Sequence, residues 1–137
     1  MLLVNTYVAP SAIEGVGVFA GERIEKGAEI WRFDSNFDRL VPEESLVTAP
    51  AHLRAFFERY GYPWTETTGM LVVEIDNGRF MNHSEAPNTD FRNPNVGYAL
   101  REIEAGEEMT CNYADFDPAF ELQPARMFLA ANGVAAH

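Results

Sequence analysis

The chain has 137 residues, the size of a single domain, and its 47% hydrophobic and 12% aromatic content can fill a core and excludes disorder of the whole. Ten Lys and Arg against 21 Asp and Glu leave a net charge of −11, which repels a phosphate backbone, argues against a nucleic-acid partner and suits a basic one. A lone cysteine, Cys111, excludes an intramolecular disulfide, the start Met1 to Asn5 has no leader-like character, and no run approaches the roughly 18 apolar residues of a membrane span. A soluble protein of the cytoplasm or another intracellular space, with no membrane partner, is the expectation.

Residues 2–9 form an apolar strand candidate that ends at Pro10. Val16 to Ala20 reads as a strand, and Ile24 to Gly27 as a turn into another strand, Glu29 to Phe33. Asp34 to Leu46 is polar and punctuated and reads as a loop. Residues 51–60 are the clearest helix: Pro50 suits its first turn, Leu53, Phe56, Phe57 and Tyr60 recur at helical spacing, and Gly61 can end it. That aromatic stripe is expected to pack into the core.

Pro63-Trp64 opens a connection to Met70 to Ile75, an apolar run short enough for a buried strand. Glu85 to Gly97, with Pro87, Pro94 and several Asn, reads as turns. Tyr98 to Leu100 and Glu108 to Cys111 are strand candidates around a turn at Ile103 to Gly106. Pro124 to Asn132 reads as a second short helix closed by Gly133. Many short strands and two short helices predict a β-rich α+β domain. Residues 1–137 are one domain on this reading, with 34–69 as an inserted loop-helix segment and 114–137 as a C-terminal tail.

Asn82-His83-Ser84 sits between the apolar Phe80-Met81 and the turn-forming Pro87-Asn88. Burying such polar groups unpaired costs roughly 1–3 kcal/mol each, so the stretch predicts a knot of partnered side chains. Four segments then form a pattern. They are Gly15-Val16-Gly17-Val18-Phe19-Ala20 with Ile24 to Ile30; Arg79-Phe80-Met81-Asn82-His83-Ser84 with Pro87-Asn88; Ala99 to Glu108; and Met109-Thr110-Cys111-Asn112-Tyr113. In this order, from 15 to 113, they resemble the SET-domain family of protein-lysine methyltransferases. The resemblance implies a SET-type fold of short strands in small, β-clip-like sheets, with a pseudoknot formed by the Asn-His and Tyr segments. It also implies an S-adenosylmethionine cofactor on one face, a narrow lysine channel from the other, and a basic protein or Lys-containing peptide as substrate.

The resemblance assigns roles residue by residue. Gly15, Val16 and Gly17 are expected to line the methionine part of the cofactor with their main chain; a tight turn between strands is the structural alternative. Asn82 is expected to contact the cofactor, and His83 to bind adenine mostly through its backbone, its ring being readable as a satisfied core histidine. Ser84 and Asn88 read as struts. Tyr113 is the expected catalytic residue, because a neutral amine in line with a sulfonium methyl needs alignment and electrostatic support rather than a protein nucleophile. Cys111 shares the substrate pocket with Tyr113 and stands where the family usually has Tyr or Phe, which implies room for higher methylation states. Asn112 replaces the usual Asp, and its role is open at this level. With no Cys after Cys111, a zinc-built flap is excluded and no metal is expected. Phe116 or Phe120 is the candidate for stacking on adenine, and both are also readable as core.

Two other readings compete. Cys111, His83 and Asn82 are the residue types of a cysteine hydrolase, and a SET-like chain can serve as an inactive protein-interaction module. A homodimer that completes the substrate groove is an expectation drawn from minimal relatives.

Overall fold

Short β-branched and aromatic runs, broken every few positions by Gly, Pro or Asn, build short strands in small sheets. The computed structural model describes residues 1–117. In chain order these hold strands β1 (Thr6–Pro10), β2 (Val16–Ala20), β3 (Glu29–Arg32) and β4 (Arg39–Pro42), a 3-10 turn (Glu43–Leu46), and helix α1 (Ala51–Tyr60). Strands β5 (Tyr62–Pro63) and β6 (Met70–Val73), a 3-10 turn (Asn77–Phe80) and β7 (Asn82–His83) follow. Strands β8 (Thr89–Asn93), β9 (Val96–Ala99) and β10 (Glu108–Cys111) and a 3-10 turn (Tyr113–Asp115) complete them. No helix among the described residues is long and apolar enough to cross a membrane.

The strands form three sheets, in the orders β1-β2-β10-β7, β3-β9-β8 and β4-β6-β5. In the first, β2 lies antiparallel to β1 from Thr6 opposite Ala20 to Pro10 opposite Val16, and β10 lies antiparallel to β2. β7 then joins β10 in parallel, with Thr110 opposite Asn82 and Cys111 opposite His83. Segments nearly thirty residues apart thus lie side by side, as the resemblance implied. Inward residues of these strands, among them Val18, Ile30, Trp31 and Met109, make one core with Ile24 and Ile103. Fully burying each large apolar side chain contributes about 1.5–3 kcal/mol.

The strands expected at 16–20 and 108–111 and the helix at 51–60 lie where the sequence places them. Other expectations need correction. The first strand starts at Thr6, while Leu2 forms a lone bridge to Trp31. The loop expected over 34–46 contains β4, an edge strand that burial alone does not mark because it pairs with β6 through Arg39 opposite Val73. The turn-rich 85–97 stretch contains β8, held by β9 and broken by an irregularity between Asp90 and Asn93. The aromatic stripe of α1 does not enter the core: none of its residues is buried, and Leu53 and Phe56 are 40% and 39% exposed. Phe56 instead packs on Phe57 and Tyr60, and Tyr60 meets Phe80 edge-on at 5.7 Å. Helical periodicity tells which residues share a face, not what covers that face. The helix expected over 124–132 lies outside the described residues.

Candidate active site

The polar knot is real and fully partnered where the structure describes it. The Asn88 amide donates to the Glu108 carbonyl at 2.8 Å and its oxygen accepts the Thr110 N–H at 2.8 Å. The Thr89 hydroxyl donates to the Thr110 carbonyl at 2.7 Å, and the Ser84 N–H donates to the Cys111 carbonyl at 2.9 Å. Asn88 and Ser84 thereby brace β10 and the chain beyond β7.

Asn82 is buried, and its amide nitrogen lies within hydrogen-bond distance of the Glu14 and Val16 carbonyls, Ser11 Oγ and Glu108 Oε2, at 3.0–3.1 Å. The side chain expected to contact a cofactor is thus also the anchor of the 11–16 loop. Gly15 in that loop has φ +48, a left-handed conformation that favours glycine, with nothing within 4 Å of an added Cβ. Gly17 has a different reason to be glycine. A Cβ there would lie 2.3 Å from Glu108 Oε2 and 3.2 Å from Asn82 Nδ2, so the missing side chain makes room for the Glu108 carboxylate.

Tyr113 follows β10 and opens a 3-10 turn that Asn112 caps by accepting the Ala114 N–H at 3.0 Å. An Asn serves at an N-cap as well as an Asp, which gives the replaced position its structural role. The Tyr113 N–H donates to His83 Nδ1 at 3.1 Å, and its hydroxyl donates to the Met81 carbonyl at 2.6 Å. The His83 ring is therefore a strut for Tyr113. Partial burial holds its pKa below the usual value, against the pull of Glu85.

Two cavities flank Tyr113. The smaller, about 60 Å³, is lined by Gly15, Val16, Asn82, Phe80 and Tyr113. The larger, about 110 Å³, is lined by Tyr62, Met81, Phe91, Cys111, Tyr113 and Phe116, with Glu74 and Trp64 also on its wall. Tyr113, Tyr60, Arg59 and Arg79 border both. The structure thus brings together Gly15, Val16, Asn82 and Tyr113 on one side, and Cys111, Tyr113 and Phe116 on the other. Gly17 and His83 line neither cavity. Phe116 packs against Tyr62 at 4.9 Å and Phe91 at 6.2 Å, which sets its ring on the larger cavity, away from the glycine loop expected to hold the cofactor. Phe120 lies outside the described residues.

Several wall residues were not assigned to the site from the sequence. Tyr60, Tyr62 and Trp64 come from the 34–69 segment, and the pairing of β5 with β6, extended by the Trp64 N–H to the Met70 carbonyl, carries Tyr62 and Trp64 to the site. Glu74 lies inside the apolar run Met70 to Ile75, and a charge within that run was the available signal. Arg59 reaches the glycine loop through an ion pair with Glu14 at 2.8 Å, and its buried Nε has no hydrogen-bond partner among the described residues.

Cys111 is 3% exposed, and its Sγ lies 3.9 Å from the Asn82 carbonyl. Burial, reinforced by the nearby Glu74, pushes its thiol well above the usual range. A hydrolase cysteine needs the opposite shift, and His83 Nδ1 is engaged with the Tyr113 N–H. The site does not have the chemistry of a cysteine nucleophile.

The family's model, the SET domain, matches residues 15–114. The chain belongs to the SET domain family. Its fold is similar to a chain of a humanized mutant of the Chaetomium thermophilum Polycomb Repressive Complex 2 bound to the inhibitor GSK126, at 24% identity and a TM-score of 0.63, over 84% of this chain and 15% of that one. It is also similar to the same organism's complex in an autoinhibited conformation bound to S-adenosylmethionine, at 21% identity and a TM-score of 0.62, over 90% and 17% of the two chains. A Plasmodium falciparum protein described as a candidate histone methyltransferase matches at 22% identity and a TM-score of 0.57, over 82% and 95%. These likenesses establish the fold; this chain spans only about 15% of the first Polycomb chain's length. No curated protein matches the chain.

Proposed function

We propose that the protein transfers a methyl group from S-adenosylmethionine to a lysine side chain of a basic protein or peptide. The observation that carries this reading is the position of Tyr113 on the wall of two cavities at once. A reaction joining a donor and an acceptor that enter separately needs a shared wall of this kind, and alignment there supplies much of the rate.

The smaller cavity fits the methionine end of the cofactor. It offers the bare backbone of Gly15 and Val16, the Asn82 anchor, and the guanidinium groups of Arg59 and Arg79 for a carboxylate. When bound, S-adenosylmethionine supplies a methyl group on a positively charged sulfur. The Tyr113 hydroxyl, fixed by its donation to the Met81 carbonyl, keeps oxygen lone pairs for that positive charge. The larger cavity, walled by Tyr62, Phe91, Met81 and Phe116, suits the apolar stem of a lysine. Cys111 leaves more room than an aromatic at that position, which favours di- and trimethyl products. The net charge of −11 favours a basic substrate, and the protein acts in solution inside the cell, either alone or as a homodimer.

The test is incubation with labelled S-adenosylmethionine and a heat-treated cell lysate, comparing wild type with Tyr113→Phe. Loss of the hydroxyl is expected to cut labelling by roughly 100-fold, the usual effect of deleting one such polar group. Equal labelling by the two proteins removes Tyr113 from this role, and no labelling by wild type favours the interaction-module reading.

A further inference from the structure

We propose that the Glu74 carboxylate, on the wall of the larger cavity, accepts the proton of an incoming substrate ammonium and so delivers the neutral amine toward Tyr113. The inference rests on the lysine-methylation reading and adds to it a residue for the proton.

Glu74 is 8% exposed on a cavity wall of mixed character, where aromatic side chains stand beside Arg59, Arg79, Arg92, Asp115 and Asp117, and among the described residues no arginine is ion-paired to it. Its Oε1 accepts a hydrogen bond from the Tyr62 hydroxyl at 3.2 Å. Its Oε2 lies over Gly78, where an added Cβ would stand 2.3 Å away, so Gly78 leaves the room that the carboxyl occupies. A carboxyl as buried as this one is costly unless its charge has a use. A cation on an apolar stem supplies one: the stem packs on Tyr62, Phe91 and Phe116 while the ammonium meets the carboxylate. Lysine carries a proton at neutral pH, since its reference pKa is near 10.4, and only the free amine has the lone pair that methyl transfer needs.

The groups that face Glu74 set its proton affinity. Burial raises its pKa to about 7, and the carboxylates of Asp76 and Asp38 push in the same direction. The amino group of Met1 and the hydrogen bond from Tyr62 pull the other way. Across the cavity wall Cys111 carries a neutral thiol, and the Tyr62 hydroxyl is itself held well above its usual range by burial and by Glu74. An acceptor tuned near neutral pH can take a proton and return it to solvent. The step balances: an N–H bond breaks and an O–H bond forms on Glu74, so ammonium and carboxylate become amine and carboxylic acid. The proton leaves to water after the product departs.

Glu74→Gln keeps the shape and the acceptor for Tyr62 while removing the charge. Methyl incorporation into a heat-treated lysate is followed from pH 6 to 10, with melting curves confirming that both proteins are folded. Wild type is expected to gain activity across pH 7 and then level off. Glu74→Gln is expected to fall at least tenfold at pH 7 and to recover only above about pH 9. Glu74→Asp restores a limb near neutral pH. Binding of n-butylammonium, a mimic of the lysine terminus, gives a readout without turnover: wild type at pH 8 is expected to bind at least tenfold more tightly than Glu74→Gln. Matching pH profiles and equal butylammonium affinities in an active wild type overturn the role of Glu74 and leave the methyltransferase reading standing. A wild type that methylates nothing at any pH overturns both.

Discussion

Gly17→Ala separates packing from cofactor contact at the glycine loop. The new methyl group would stand 2.3 Å from Glu108 Oε2 and 2.8 Å from its Cδ, distances that real atoms do not hold. The carboxylate is the end of a flexible chain, so it swings away, and the cost is the hydrogen bonds it leaves behind. Those come from the Ser11 hydroxyl, at 2.8 and 2.9 Å to the two oxygens, and from the Asn82 amide at 3.0 Å. Hydrogen bonds to a charged group contribute about 1.5–3 kcal/mol each. Here the Asn82 amide keeps the Glu14 and Val16 carbonyls as acceptors and the group is only partly buried, so a total of about 2 kcal/mol is expected. For a domain of this length that lowers Tm by roughly 6 °C, read by circular dichroism. In a Glu108→Ala background the main clash is gone and only the 3.2 Å approach to Asn82 Nδ2 remains, so Gly17→Ala should cost less than about 0.5 kcal/mol. Gly15→Ala is the control: its cost of about 1 kcal/mol comes from the left-handed φ and should be the same in both backgrounds. Equal losses for Gly17→Ala with and without Glu108, or none in the wild-type background, would refute the reasoning.

Asn88→Ala strands the buried Thr110 N–H and the Glu108 carbonyl, so about 3 kcal/mol of stability should vanish, measured by urea unfolding. Cys111 should resist an alkylating reagent at pH 8 in the folded protein and react within minutes once unfolded in guanidinium, because burial keeps its thiol protonated and covered. Stability should also fall as pH rises through the window from about 4.5 to about 7. The folded Glu74 holds its proton up to about 7, whereas the unfolded chain releases it near 4.5. The unfolded state then binds fewer protons in that window, and the penalty approaches roughly 3 kcal/mol above it. Glu74→Gln should flatten this dependence in melts taken from pH 5 to 8.

The sequence showed the strands that carry the motif segments because their apolar runs are bounded by turn residues on both sides. Val16–Ala20 and Glu108–Cys111 are of this kind. β8 escaped because Thr89 to Asn93 lies between Pro87 and Pro94 and carries the turn-favouring Asp90 and Asn93. Its structure comes from pairing with β9 and from the Asp115 carboxylate, which accepts the Phe91 N–H at 3.3 Å. The partners of Asn82, His83 and Asn88 were foreseeable as a need and not as identities, since Glu108, Thr110 and Tyr113 lie more than twenty residues away. The larger cavity was the least legible part. Its walls come from β5, the chain after β6 and the turn after β10, which meet only through tertiary pairing. Helical spacing on α1 suggested core packing, yet no residue of the helix is buried, and it meets the body through Arg59 on Glu14 and Tyr60 on Phe80.

The central claim is that the cavity beside Gly15, Val16, Asn82 and Tyr113 binds S-adenosylmethionine, and calorimetric titration of the purified protein tests it most directly. Saturable binding at one site per chain, weakened at least tenfold by Asn82→Ala, is the expected result. Absence of any binding heat at millimolar cofactor, with a folded protein in the cell, would contradict it.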